Sequence, residues 1–250
     1  RIVNAGRALI AVYSQLLLGS LVLFGSLLVL LTGEYRYPVA VVAGAALGLS
    51  LALWIVLSSL QQIYRQLRGT ANWRATPWSF WGMHMAHIGI AVSVIGVTMV
   101  TSYETEKDVR MGLGDTVAVG GYTFRLTGIR EAEGPNYRAD VGDVQLMRDG
   151  QLLRTLHPEK RTYFSSAMPM TEAAIDTGLT RDVYVSLGER LEGGEHPAWA
   201  VRVYYKPFVS WIWGGGLLMA LGGTLAALDR RYRSKRVRAT AGAGIGGATA

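Results

Sequence analysis

Phe80-Trp81-Gly82-Met83-His84-Met85-Ala86-His87-Ile88-Gly89-Ile90-Ala91-Val92-Ser93-Val94-Ile95-Gly96-Val97-Thr98-Met99-Val100-Thr101-Ser102 contains no Asp, Glu, Lys or Arg. The run exceeds the roughly 20 apolar residues that cross a bilayer, so it predicts a membrane helix. An ionisable side chain at membrane depth is costly to keep there, which makes His87 the first candidate for a functional site. At about 100° per residue, Met83, His84, His87, Ala91 and Val94 share one side of this helix. Gly82, Gly89 and Gly96 fall on the opposite side. Small residues let a neighbouring helix come close, so the glycine stripe predicts a tight seam. His87 then faces a different partner or a cavity, roughly 10 Å along the helix from Phe80.

Three further runs have the same character: 9–31, 38–60 and 208–228. Half of the residues are hydrophobic and the mean hydropathy is positive. Composition and runs together predict a polytopic membrane protein with four transmembrane helices. Basic residues flank the runs in three clusters: Arg1 and Arg7; Arg65, Arg68 and Arg74; and Arg230, Arg231, Arg233, Lys235, Arg236 and Arg238. By the excess of Arg and Lys on cytoplasmic flanks, both ends of the chain are expected in the cytoplasm and residues 103–207 outside it. The net charge of +7 owes much to these flanks and reads as topology and contact with the lipid bilayer rather than nucleic-acid binding. The chain opens at Arg1 with no initiator Met, and its first run does not read as a signal peptide, so it is expected to belong to a longer protein. Cysteine is absent, which excludes disulfides and thiolate metal sites from this sequence.

Between the third and fourth runs the patterning changes. Thr116–Val119 and Tyr122–Thr127 flank Gly120-Gly121, and Val144–Arg148 and Gln151–Leu156 flank Asp149-Gly150. Both two-residue links are strong hairpin signals. A third pair, Asp182–Leu187 and Ala198–Tyr205, is joined by a Gly- and Glu-rich link. The expected fold is an α-helical bundle of four transmembrane helices with a small antiparallel β-domain, sandwich or open barrel, inserted on the external side. Thr171–Thr177 is expected to form a short helix between hairpins, and residues 229–250 a basic, disordered cytoplasmic tail.

Other residues compete with His87. His87 itself reads equally well as a neutral imidazole bonded to an adjacent helix. His84 lies about one turn nearer the cytoplasm, beside Trp78 and Trp81, and reads as an interfacial histidine. With His87 it could hold one small ion, but no carboxylate or thiolate joins them. His157 and His196 each precede a proline and read as solvated turn residues. Lys160 and Arg161 read as a solvated strand end.

Several stretches carry a family resemblance. Trp81–Val92, Arg110-Met111, Pro158–Arg161, Met170–Asp176, Arg181–Tyr184, Trp199–Arg202 and Tyr204–Trp213, followed by Met219–Gly223 and Asp229–Arg233, resemble the C-terminal part of CcmF, the haem lyase component of bacterial cytochrome c maturation. The resemblance is close from about Thr76 to Arg233 and looser over the first two runs. It implies a bacterial inner-membrane protein acting on the periplasmic face, where haem is joined to the CxxCH cysteines of apocytochrome c. It further implies that His87, in an Ala-His-Ile-Gly sequence where the family has Ala-His-Leu-Gly, is an axial ligand to the iron of a membrane haem b. That family's Trp-rich external segment, two external histidines and second membrane histidine are not in this sequence. The implied partners are therefore an upstream part of CcmF, the other maturation subunits and apocytochrome c, and no catalytic residue is expected in this chain alone. Lys160, Arg161, Arg181 and Asp182 are the expected recognition charges of the β-domain, against the alternative that they only brace it internally. Two other classes remain open: a haem-independent scaffold or receptor whose β-domain binds a partner protein, and a transporter segment, for which no inverted repeat is evident.

Overall fold

The computed structural model describes residue 19 and residues 39–69, 76–165, 168–192 and 197–229. Three helices long and apolar enough to cross a membrane occur among them. They are α1 (Val39–Gly69), α2 (Trp78–Tyr103) and α3 (Val209–Ala227). Of the expected first span, 9–31, only Gly19 is described, and the expected tail beyond Asp229 also lies outside the described residues. The second span was expected to stop at Leu60, but α1 continues to Gly69. The added turns carry Gln, Arg and Leu, good helix formers without a breaker, and Arg68 complements the negative end of the helix dipole. Its guanidinium lies 4.7 Å from the centre of the Tyr64 ring.

The chain divides into a helical unit, Arg1–Thr98 with Trp211–Ala250, and a second unit, Met99–Ser210. In the helical unit the glycine stripe of α2 meets small residues of α3. A Cβ on Gly89 would lie 2.7 Å from the Gly215 carbonyl oxygen and 2.8 Å from the Met219 nitrogen. One on Gly82 would lie 2.6 Å from the Ala226 nitrogen, and one on Gly222 the same distance from the Ala86 nitrogen. The two backbones are therefore in direct contact, a separation only glycine permits. Ser93 Oγ donates to the Ile212 carbonyl across the same seam, at 3.2 Å. At the other end, Asp229 Oδ2 accepts from the Ser79 amide at 2.9 Å. That carboxylate satisfies one of the amides left unpaired in the first turn of α2 and sits at the positive end of its dipole.

The second unit is a sandwich of two antiparallel sheets. Its strands are β1 (Thr105–Gly112), β2 (Thr116–Val119), β3 (Tyr122–Glu133), β4 (Tyr137–Arg148), β5 (Gln151–Leu156), β6 (Glu159–Tyr163), β7 (Pro169–Glu172), β8 (Ala174–Thr177), β9 (Arg181–Leu191) and β10 (Ala198–Pro207). One sheet has the order β1-β10-β9-β8; the other runs β2-β3-β4-β6-β7, with β5 also on β4. Alternate residues of both sheets point inward. Phe124, Leu126, Leu146, Val183, Val185, Leu187 and Val203 are completely buried between them. The two short links form as the sequence indicates: Gly120, Gly121, Asp149 and Gly150 all have positive φ, as the tight hairpin turn requires.

Residues 171–177 do not form the expected helix. The chain there makes β7 on β6 and then β8 on β9, changing sheets at Ala173. Thr171, Ile175 and Thr177 are β-branched, and burial from Ala174 to Thr177 alternates with period two, which suits a pleated surface rather than a helix. β1 also went unforeseen from the sequence. Half of its residues are charged, as suits an edge strand, and Met111 is fully buried beneath.

The backbone contact at Gly89 has a measurable consequence. Gly89→Ala forces a methyl group into occupied space and is expected to destabilise the helix pair by roughly 1–3 kcal/mol. Gly214→Ala, where nothing lies within 4 Å, is the control. Denaturant titration of the chain in mild detergent, followed by tryptophan fluorescence, distinguishes them.

Candidate functional site

Helix α2 places its two histidines in opposite surroundings. Gly82, His84, Gly89, Ala91 and Gly96 are the buried residues of this helix, whereas Met83, His87, Ile90 and Val97 are exposed. The single stripe expected to hold Met83, His84, His87 and Ala91 together is therefore divided. His84, read as an interfacial histidine, is only 2% exposed. Its ring meets Phe80 edge-on at 4.4 Å, and neither ring nitrogen has a hydrogen-bond partner among the described residues. A sequence period gives the angle between two residues but not which side the neighbouring helices cover, so burial of His84 was not legible.

His87 faces outward, and its Nδ1 lies 2.7 Å from the Met83 carbonyl oxygen one turn earlier. A carbonyl can only accept, so Nδ1 must carry the proton. With the proton of a neutral ring on Nδ1, the lone pair belongs to Nε2. This is the arrangement of a metal-ligating imidazole, in which a bond to the far nitrogen sets tautomer and ring direction. Met83 and Ile90 give that exposed face an apolar surround. The exposed Nε2 lone pair and the apolar face fit the axial ligation of a haem.

In the sandwich, all four candidate recognition charges have partners. Lys160 Nζ lies 3.3 Å from Glu189 Oε1. Arg161 binds Glu159 at 2.8 Å and Glu172 at 3.4 Å, and lies 4.6 Å from the centre of the Tyr137 ring. The hydrogen bond to Glu159 raises its pKa above the ordinary guanidinium value. Arg181 Nε donates to the Tyr122 hydroxyl at 3.0 Å, and Nη1 donates to the Asp176 carbonyl at 2.9 Å and also to its carboxylate. Burial opposes the Arg181 charge, but these bonds outweigh it and the net shift is upward. Because Tyr122 belongs to one sheet and Asp176 and Arg181 to the other, this cluster ties the two layers together. Asp182 is buried and accepts from the Gly178 amide at 3.1 Å. His157 is not simply solvated either: its Nδ1 lies 2.8 Å from Asp143 Oδ1. His196 lies outside the described residues.

The sequence reading missed a second charged group. Arg202 binds Asp108 through Nη2 at 2.7 Å and Glu106 at 3.2 Å, and the hydrogen bond from Arg202 holds the Asp108 carboxyl below its usual range. It lines a cavity of about 510 Å³ together with Arg110, Thr171, Gly188 and Tyr204. No local pattern announces this site, since it forms only when β1 pairs with β10.

Comparison with known proteins agrees with this architecture. Residues 102–207 match the family model described as the CcmF C-terminal beta-sandwich. The chain is 52% identical over 198 residues to the cytochrome c-type biogenesis protein CcmF of Pseudomonas aeruginosa, covering 77% of this chain and 30% of that protein. It is 49% identical over 196 residues to CcmF of Escherichia coli K12, covering 78% and 29%. Among solved structures, one described as cytochrome c heme lyase CcmF shares the fold with a TM-score of 0.65 at 21% identity, covering 85% of this chain and 34% of that one. The chain thus spans about a third of the length of the relatives it matches. With a matching β-sandwich and about half its aligned residues identical to those of two curated relatives, this chain belongs to the CcmF family of cytochrome c-type biogenesis proteins.

Proposed function

We propose that this chain supplies one axial ligand, Nε2 of His87, to a haem b held within the membrane, as part of a lyase that attaches haem to apocytochrome c. The observation that carries the reading is the bond from Nδ1 to the Met83 carbonyl. It fixes the protonated nitrogen and presents the other one to whatever covers the exposed face of α2. When bound, haem supplies an iron that passes between ferrous and ferric states. This chain's residues orient the imidazole through the Met83 carbonyl and surround it with the apolar side chains of Met83 and Ile90. The second axial ligand comes from an upstream part of the lyase, and His84 is turned into the bundle and takes no part.

By the distribution of Arg and Lys, both ends of the chain lie in the cytoplasm of a bacterial cell and the sandwich lies in the periplasm. There it is the docking element for apocytochrome c or other maturation subunits. Lys160, through Glu189, and Arg181, through Tyr122, tie the two sheets, and Arg161 ties β6 to β7; these three set the charge pattern that the partner meets, while the buried Asp182 holds the turn at Gly178.

The visible spectrum of the detergent-purified chain, co-expressed with its upstream half, tests the ligand role. A reducible b-type spectrum is expected in wild type and His84→Ala and is expected to vanish in His87→Ala. Retention of the spectrum without the His87 imidazole, or absence of haem from the wild-type assembly, would leave the haem-independent scaffold as the better account. For docking, the double reversal Lys160→Glu with Arg161→Glu is expected to lower the yield of holocytochrome c about tenfold, the equivalent of roughly 1.4 kcal/mol, at unchanged membrane levels of the chain. Arg202→Glu, which breaks ion pairs with Glu106 and Asp108, none of them among the four candidate charges, is the comparison. Equal yields from the two variants would remove the docking role.

A further inference from the structure

The turn at residues 178–180 stands at the end of the sandwich where the chain passes into its membrane-capable helices. In the β1–β10 register Thr105 is opposite Tyr205. Only Glu104 separates α2 from β1, and only Phe208 separates β10 from α3. Pro207 is opposite Arg181, and Thr177 is opposite Asp182, so the link between β8 and β9 falls at this same end. Three hydrogen bonds hold it there. The Phe208 amide donates to the Thr180 carbonyl at 3.0 Å. Ser210 Oγ donates to the Gly178 carbonyl at 2.9 Å, and the Gly178 amide donates to Asp182 Oδ1 at 3.1 Å.

Ser210 already belongs to the first turn of α3, and Trp211 and Trp213 follow it. Tryptophan at the end of an apolar span marks the headgroup region of a bilayer. The turn is therefore fastened, within this unit, to residues at interface depth. At its tip stands Leu179, 77% exposed and the most exposed large apolar side chain among the described residues. Tight turns in water favour Gly, Asn, Asp, Ser and Pro, so a leucine at this tip is anomalous for a solvated loop.

We infer that Leu179 inserts into the adjoining lipid leaflet and serves as a non-covalent anchor that holds the sandwich against the membrane surface, alongside the two covalent connections. The occupant is lipid, because the turn is fixed to a helix entry whose own aromatic residues belong to the interface. This inference does not depend on any role of His87.

The absence of cysteine from the sequence allows a clean test. A nitroxide is attached to Leu179→Cys in the full chain, reconstituted in phosphatidylethanolamine and phosphatidylglycerol vesicles. Its collision rates with oxygen, which concentrates in lipid, and with a water-soluble nickel chelate are compared with those of a label at Leu113→Cys. Leu113 is also exposed, at 59%, and lies beyond Gly112 at the opposite end of β1. A severalfold higher oxygen-to-nickel ratio at 179 than at 113 is expected. Equal ratios would place the turn in water, and low access to both reagents with an immobilised label would place it against protein; either result overturns the inference.

Discussion

Antiparallel pairing of Thr105–Gly112 with Ala198–Tyr205 is the constraint on which the rest of this chain depends. It joins segments that are far apart in sequence; Asp108 and Arg202, which bond across it, are separated by 94 residues. Closing so long a loop costs chain entropy that only the assembled sandwich offsets. Once closed, the two strand ends that continue into α2 and α3 lie one strand spacing apart, about 4.8 Å. The glycine contacts between those helices begin from chain segments that are already neighbours. The same pairing creates the Arg202 ion-pair group and the cavity beside it.

Within α2, one helix carries two demands on opposite faces. The seam face needs residues without side chains, and Gly82 and Gly89 meet α3 backbone to backbone. The other face keeps an imidazole whose tautomer is set by its own helix. Because the bond to Met83 is local, the orientation of His87 does not require a partner chain to be in place. The ring is oriented in advance, which would lower the ordering cost of any contact made at its free nitrogen.

The sequence revealed the elements whose signals are local. Gly120-Gly121 and Asp149-Gly150 fixed two hairpins because their backbone angles suit few other residues, and the apolar runs identified α1, α2 and α3 through length and absence of charge. It misled where the outcome rests on neighbours distant in the chain. β1, half of it charged, carries no strand signal until β10 supplies its partner, and Thr171–Thr177 reads as a helix until the edges of two sheets are available to it. The histidines divide in the same way. His87 drew notice on bilayer energetics, but its bond to Met83 and its exposed face, like the burial of His84, follow from the folded helices. The charges at Lys160, Arg161 and Arg181 were visible, but their ties to Glu189, Glu172 and Tyr122 are products of the folded sandwich.

The Asp229 carboxylate at the start of α2 bears on the order in which the chain matures. It lies 150 residues beyond the amide it accepts from, so during synthesis α2 begins its life with that first turn open. Strands and turns of the whole sandwich must be made, and α3 inserted, before the bond can form. Until then the Ser79 amide has only interfacial water to satisfy it. The helix that carries His87 thus becomes complete at its first turn only once α3 has been inserted, so the helical unit closes late in the synthesis of this segment.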